Sequence, residues 1–181
     1  MTAEDAQWST QFPTLFREGY VDYADCQISF TTTPAPEHLV SRLHLVAITS
    51  KGHVVVCRSE QGQRFLPGGT REPDETISAL ARRELLEEAG AHIRGAIRYF
   101  ASHVATSHRG QPFRPHLPHP RTYWAYAIAD VDLAEPPRNP PDGESIVEVL
   151  TLPPMEAADY IEPHDPLHAH VVRLALAMGR I

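Results

Sequence analysis

Gly69-Thr70-Arg71-Glu72-Pro73-Asp74-Glu75-Thr76-Ile77-Ser78-Ala79-Leu80-Ala81-Arg82-Arg83-Glu84-Leu85-Leu86-Glu87-Glu88-Ala89-Gly90 predicts a loop running into one helix with an awkward acidic face. At about 3.6 residues per turn, Glu84, Glu87 and Glu88 stand at i, i+3 and i+4, so the three side chains leave one narrow face and are expected to meet one another. Gly90 is a good C-terminal glycine, which places this cluster at the negative end of the helix dipole. Like charges at i, i+4 cost roughly 0.2–0.5 kcal/mol, and an exposed carboxylate at the wrong helix end roughly 0.3–1 kcal/mol more. A divalent cation with oxygen ligands reverses both signs, which makes the cluster a candidate functional site. The rest of the segment reads as a well-built helix start. Asp74 is the expected cap, Pro73 turns the chain in, and Glu72 and Glu75 sit near the positive dipole end. Ala81, Leu85 and Ala89 form a slim apolar stripe for packing on a sheet. Upstream, Phe65-Leu66-Pro67-Gly68-Gly69 reads as a strand end and tight turn, where a backbone oxygen near Gly68 or Gly69 joins the carboxylates.

These residues resemble the signature of the Nudix hydrolases, Gly-x5-Glu-x7-Arg-Glu-U-x-Glu-Glu-x-Gly-U, with U a bulky aliphatic. Gly69, Glu75, Arg83, Glu84, Leu85, Glu87, Glu88 and Gly90 fall in place. The last U departs, being Ala91, which bears on packing rather than on chemistry. At ordinary residue usage a chance match at the fixed positions is on the order of one in a hundred million per starting point.

A length of 181 residues suits one domain with a real core plus an extension. The net charge of -7, from 16 basic and 23 acidic residues, argues against general nucleic-acid binding, so a polyanionic substrate needs a local basic pocket. Cys26 and Cys57 have no metal or disulfide spacing, which fits a reducing cytoplasm. No apolar run approaches the roughly 18 residues of a membrane span, and the polar start is not a signal peptide.

Residues 1–38 read as an N-terminal extension and residues 39–181 as the main domain. The extension's Trp8, Phe12, Leu15, Phe16, Tyr20 and Tyr23 pack on the body or a second subunit, or stack on bases, and Pro13 opens a short helix. Val40 to Ser50 and Gly52 to Arg58 read as a hairpin. His92 to Thr106 and Thr122 to Val131 are further strands, the second central, and Glu144 to Leu152 is a short one. The fold class is therefore α/β (α+β), a mixed sheet flanked by helices. The apolar face of Leu167, Val171, Leu174, Ala175 and Met178 reads as a helix in the core or at a homodimer contact. Between the two long strands lies a loop, His108 to Arg121, with three histidines, three arginines and four prolines. Arg109, Arg114 and Arg121 are its candidates for gripping substrate phosphates, and the loop is a candidate lid. A zinc site at His116 and His119 lacks companions of the right spacing, and a solvated insert is the plainer alternative.

The resemblance implies a substrate that is a nucleoside diphosphate linked to another group, cleaved by attack of water on one phosphorus. A diphosphate repels hydroxide, so magnesium or manganese is expected to neutralise charge and activate water. By the resemblance, Glu84 and Glu88 are metal ligands, Glu87 is a third ligand or the base, and a carbonyl near Gly69 is a further ligand. Arg83 and Glu75 hold loop and helix in register, and Glu144 and Glu148 are alternative bases. The competing function is a non-catalytic nucleotide-binding sensor or scaffold, which the full set of carboxylates disfavours.

Overall fold

Apolar and β-branched runs on both sides of the acidic helix build the sheet expected of them. The computed structural model describes residues 2–140 and 145–181. Its helices are α1 (Ala3–Gln11), α2 (Pro13–Phe16), α3 (Ile77–Ala89), α4 (Pro154–Ile161) and α5 (Pro166–Ala177). Its strands are β1 (Gly19–Val21), β2 (Cys26–Thr31), β3 (Val40–Ile48), β4 (Val54–Ser59), β5 (Arg64–Phe65), β6 (Gly68–Thr70), β7 (Ala91–Ile93), β8 (Arg98–Ser107), β9 (Arg121–Leu133) and β10 (Ile146–Leu152). The sheet runs β1-β2-β8-β9-β3-β4-β10, with β5 on β4, β6 on β3 and β7 on β9. It is mixed: β3 and β9 run parallel, while β8 and β9 are antiparallel. Among the described residues no helix is long and apolar enough to cross a membrane.

Strand alternation divides the core between the two faces of the sheet. Leu43, Leu45 and Ala47 of β3 pack with Ile77, Leu80, Ala81 and Leu85 of α3. Val46 and Ile48 point the other way, toward Val171, Val172 and Leu174 of α5. Burial on both faces explains why these strands read as near-continuous apolar runs. On β9 the α3 face carries Ala125, Ala127 and Ala129, all fully buried. Small residues there match the slim stripe of Ala81, Leu85 and Ala89 and let the helix lie close. Val171, Leu174 and Ala175 are fully buried, so the apolar face of α5 is core.

Several local expectations change. The hairpin exists only at its turn: β3 and β4 pair at Ile48 and Val54, after which β6 takes the partner position along β3 from Arg42 to His44. The returning Pro67 carbonyl accepts from the Leu45 N–H at 2.8 Å, which wedges the two strands apart. The expected strand from His92 to Thr106 is two, β7 and β8, separated at the positive-φ Gly95. Past Pro153 the chain enters α4, with Pro154 in its first turn, a helix the sequence reading did not contain. Within residues 1–38, β2 pairs with β8 from Cys26–Ser107 to Thr31–Ser102 and lengthens the sheet. Buried Asp5 fastens α1 to the end of β2 by accepting from the Thr32 N–H at 2.7 Å. Trp8, Phe12, Leu15 and Phe16 pack on the core, while Tyr20 and Tyr23 stay exposed.

Under α5 the core is polar. The His103 Nδ1 and Tyr126 hydroxyl are 2.9 Å apart, with Phe30 packed edge-on to His103. Burial, reinforced by His168, pushes the His103 pKa down to about 4, and burial first also holds His44 well below the usual imidazole value. A folded-state pKa below the unfolded one means that the unfolded chain binds more protons on acidification, so the histidine contributes stability at neutral pH that is lost as pH falls below about 6.5. Comparing the protein with a His103→Gln variant isolates this group from every other titrating one. Between pH 7 and pH 5 the wild type should lose about 2 kcal/mol more unfolding free energy than the variant. Parallel losses in denaturant titrations of the two proteins would refute the assignment.

Candidate active site

Helix α3 starts two residues later than Asp74 would place it. Asp74 lies at a positive φ of 57° in the turn after Pro73, and Thr76 caps instead, its hydroxyl accepting from the Ala79 N–H at 3.1 Å. The far end closes as expected at Gly90, which is left-handed at φ 59°, and a β-carbon there would run into the Glu135 carbonyl. Helix length is thus set at both ends, with Glu84, Glu87 and Glu88 in its last two turns.

The three carboxylates do not simply face one another. Arg83 grips Glu75 through Nε at 2.9 Å and Nη2 at 3.1 Å, and its Nη1 donates to Glu84 at 2.9 Å and Glu87 at 3.1 Å. Its Nη2 also donates to the Thr70 carbonyl at 3.1 Å. Glu88 accepts from the Gly68 N–H at 2.8 Å. The repulsion expected of the acidic face is therefore partly offset within the chain. Burial opposes the charge on Arg83, but its bonds to Glu75 and the charge of Glu84 outweigh that and raise its pKa. Glu75 shows the same contest, with burial outweighed by Arg83, and its pKa is lowered. Glu84 goes the other way. It is 6% exposed, and burial, aided by Glu87 and opposed by Arg83, raises its pKa to about 7.

Gly69 leaves room for that buried carboxylate. A β-carbon on Gly69 would strike Glu84 Oε1 and sit 2.7 Å from its Cδ. Buried Glu84, half-buried Glu87, Glu88 and the adjoining Gly69 backbone form a hard-oxygen donor set of the kind a divalent cation takes. A cation would stabilise the ionised form that burial disfavours in Glu84. Among the described residues no three His, Cys, Asp or Glu side chains are already gathered around one point. Arg83 and the Gly68 N–H draw the carboxylates elsewhere, so binding requires them to turn.

These groups line a cleft of about 540 Å³ that also takes in Arg42, His44, Arg64, Arg114, Asp165 and His168. Groups from both faces of the sheet reach it, because β3 and β4 separate beyond Ile48 and Val54. Of the three arginines expected at the phosphates, Arg114 lines the cleft, paired with Glu72 at 3.1 Å. Arg109 is not at the cleft: it donates to the Tyr23 carbonyl at 2.6 Å and lies over Phe113. Arg121 lies over Tyr123. Glu148 is ion-paired with Arg58 at 2.7 Å, away from the carboxylates, and Glu144 lies outside the described residues. His116 contacts the Arg71 carbonyl at 2.8 Å.

Arg42, His44, Arg64 and His168 were missed by sequence reasoning. Arg42 and Arg64 each keep a buried Nε without a hydrogen-bond partner, as does the Nδ1 of His44. His168 Nδ1 lies 2.9 Å from Asp165. One signal was available: Arg42 and His44 are ionisable residues two apart in a central strand that is apolar apart from them and Ser41, hence on one face. Nothing local marks Arg64 or His168.

A family model described as NUDIX domain matches residues 38–175. The chain belongs to the Nudix family and is a Nudix hydrolase. Members of the family generally use divalent metals. Among solved structures it is similar to BsRppH, a pyrophosphohydrolase from Bacillus subtilis, at 16% identity and TM-score 0.54, over 75% of this chain and 77% of that one. It is also similar to RenU, a Nudix hydrolase from M. smegmatis, at 20% identity and TM-score 0.46, over 77% and 87%. A search of curated proteins gives no match.

Gly69→Ala tests the closeness of backbone and carboxylate. The clash is with the tip of one side chain, so the fold should survive with a near-native melting temperature. Displacing Glu84 by even about 1 Å should lower turnover roughly a hundredfold. Turnover close to wild type would show that Glu84 need not sit against Gly69.

Proposed function

We propose that this hydrolase cleaves the diphosphate linkage of a nucleoside diphosphate joined to a second group, with magnesium or manganese held by Glu84, Glu88, Glu87 and the Gly69 carbonyl. The observation that carries the reading is one cleft presenting both the α3 carboxylates and two arginines, Arg42 and Arg64, with unspent buried N–H groups. When bound, the cation neutralises phosphate charge and lowers the pKa of its water. Arg42, Arg64 and Arg114 bind phosphate oxygens through charge-assisted hydrogen bonds. Where Glu87 is not a metal ligand, it takes the proton of the attacking water at a carboxylate oxygen, a role favoured over Glu148 because Glu87 lines the cleft and Glu148 does not. Arg83 and Glu75 position the loop against the helix. In this reading residues 39–181 form the hydrolase domain and residues 1–38 an extension, and the buried Cys26 and Cys57 thiols suit the cytoplasm.

The deciding experiment incubates the purified protein with nucleotide sugars, ADP-ribose, dinucleoside polyphosphates and oxidised nucleoside triphosphates, with magnesium or with excess chelator, and identifies the products. At least one should be split within its phosphate chain only when metal is present. Hydrolysis that persists in chelator would sink the metal role, and an inert panel would sink the substrate class. On the substrate found, Glu87→Gln and Glu88→Gln should each lose at least about a hundredfold in turnover with folding intact. Magnesium should also raise the wild-type melting temperature by binding the folded state alone, and a melting curve indifferent to it would count against the site.

A further inference from the structure

A second cavity, outside the carboxylate cleft, lies between the segment before β2 and the 108–121 loop. Tyr23 and Phe113 stand edge to face at 6.4 Å between ring centroids, and Trp124 and Leu117 complete the apolar wall. Arg42 and Thr70 line this slot and the carboxylate cleft alike, so the two spaces adjoin along a shared border. The Arg42 guanidinium lies 5.6 Å from the centre of the Trp124 ring and donates to the Tyr23 hydroxyl at 2.7 Å. Arg109 fastens the two walls together, bonded to the Tyr23 carbonyl and stacked over Phe113. Tyr23 and Phe113 are nonetheless 59% and 51% exposed, a large aromatic surface to leave in water. Tyr23 precedes the part of the chain that the family match covers, so this wall belongs to the present protein's own extension.

We propose that this slot holds the planar heterocycle of the substrate's nucleoside, stacked on one of the Tyr23 and Phe113 rings and edge-on to the other, with Trp124 behind them, while Arg42 at the shared border receives the adjoining phosphate. The occupant follows from three features. The walls are aromatic rings, on which any nucleobase can stack. The slot adjoins the cleft of α3 carboxylates and arginines, and Arg42 borders both. An apolar peptide or lipid would explain the rings but not a shared arginine at the border of that cleft. The assignment rests on the nucleoside-diphosphate reading above for its ligand class.

The test uses bare nucleosides in chelator, so that neither metal nor catalysis enters. The chain has two tryptophans, and Trp8→Phe leaves Trp124 as the sole reporter. Adenosine, guanosine, cytidine and uridine are titrated against its fluorescence, with ribose as the control that lacks a base. At least one nucleoside should give a saturable change, ribose none, and Tyr23→Ala and Phe113→Ala should each weaken binding at least about tenfold. Both residues are exposed, so the variants should fold, which circular dichroism checks. No response to any nucleoside, or a response that both substitutions leave unchanged, overturns the proposal. Nucleoside binding without metal-dependent hydrolysis would uphold the slot and reject the catalytic reading instead.

Discussion

One guanidinium holds the loop, the helix and two of the three carboxylates together. Arg83 binds Glu75 and the Thr70 carbonyl ahead of the helix, and Glu84 and Glu87 within it. Helix geometry alone does not favour this, because arginine preceding glutamate by four residues is the weaker order for such a pair. The stabilisation comes from the loop, through a two-pronged bond to Glu75 that fixes the guanidinium plane. With that plane fixed, Gly68 and Gly69 are brought against Glu88 and Glu84. The same contact keeps one charge compensated near a carboxylate that burial would otherwise neutralise.

The sheet supplies the second half of the site through a failure of pairing. If β3 and β4 remained a full hairpin, α3 and α5 would lie on opposite sides of an unbroken layer. Instead β6 inserts along β3, and the gap lets Glu84, Glu87 and Glu88 share a cleft with His44, Asp165 and His168. Alternation then decides which side chains of β3 arrive: Leu43 and Leu45 go to the core under α3, and Arg42 and His44 to the cleft.

The legible part of the protein was the part whose constraints are local. Helix spacing, the C-terminal glycine and the signature lie within 23 consecutive residues, and each matches a periodicity or a backbone conformation. Ala91 at the position of a bulky aliphatic is buried and paired with Leu133 in β7, in keeping with a packing role. The cap moved from Asp74 to Thr76 because both are good caps and only the turn decides between them. Arg64 and His168 were illegible for a different reason, since they meet the helix through contacts about 20 and 80 residues away in sequence. Arg109 shows the opposite error: a loop arginine reads as a phosphate ligand by charge alone, while tertiary contacts commit it to Tyr23 and Phe113.

On the proposed reading, charge in the cleft would tie the metal to the substrate. Among the described lining residues five carboxylates stand with four arginines, so the cleft is close to neutral and slightly acidic, in a chain of net charge -7. A diphosphate entering such a space gains little from Arg83 and Arg114, because each is already paired with a carboxylate. A doubly charged cation bound by the α3 carboxylates would tip the balance and release Arg83 for phosphate oxygens. By linkage the reverse also holds, and a bound diphosphate must tighten the cation by the same factor. On the proposed reading, carboxylates held by Arg83 and Gly68 are compensated without metal, and they turn toward a cation more readily when a diphosphate arrives with it.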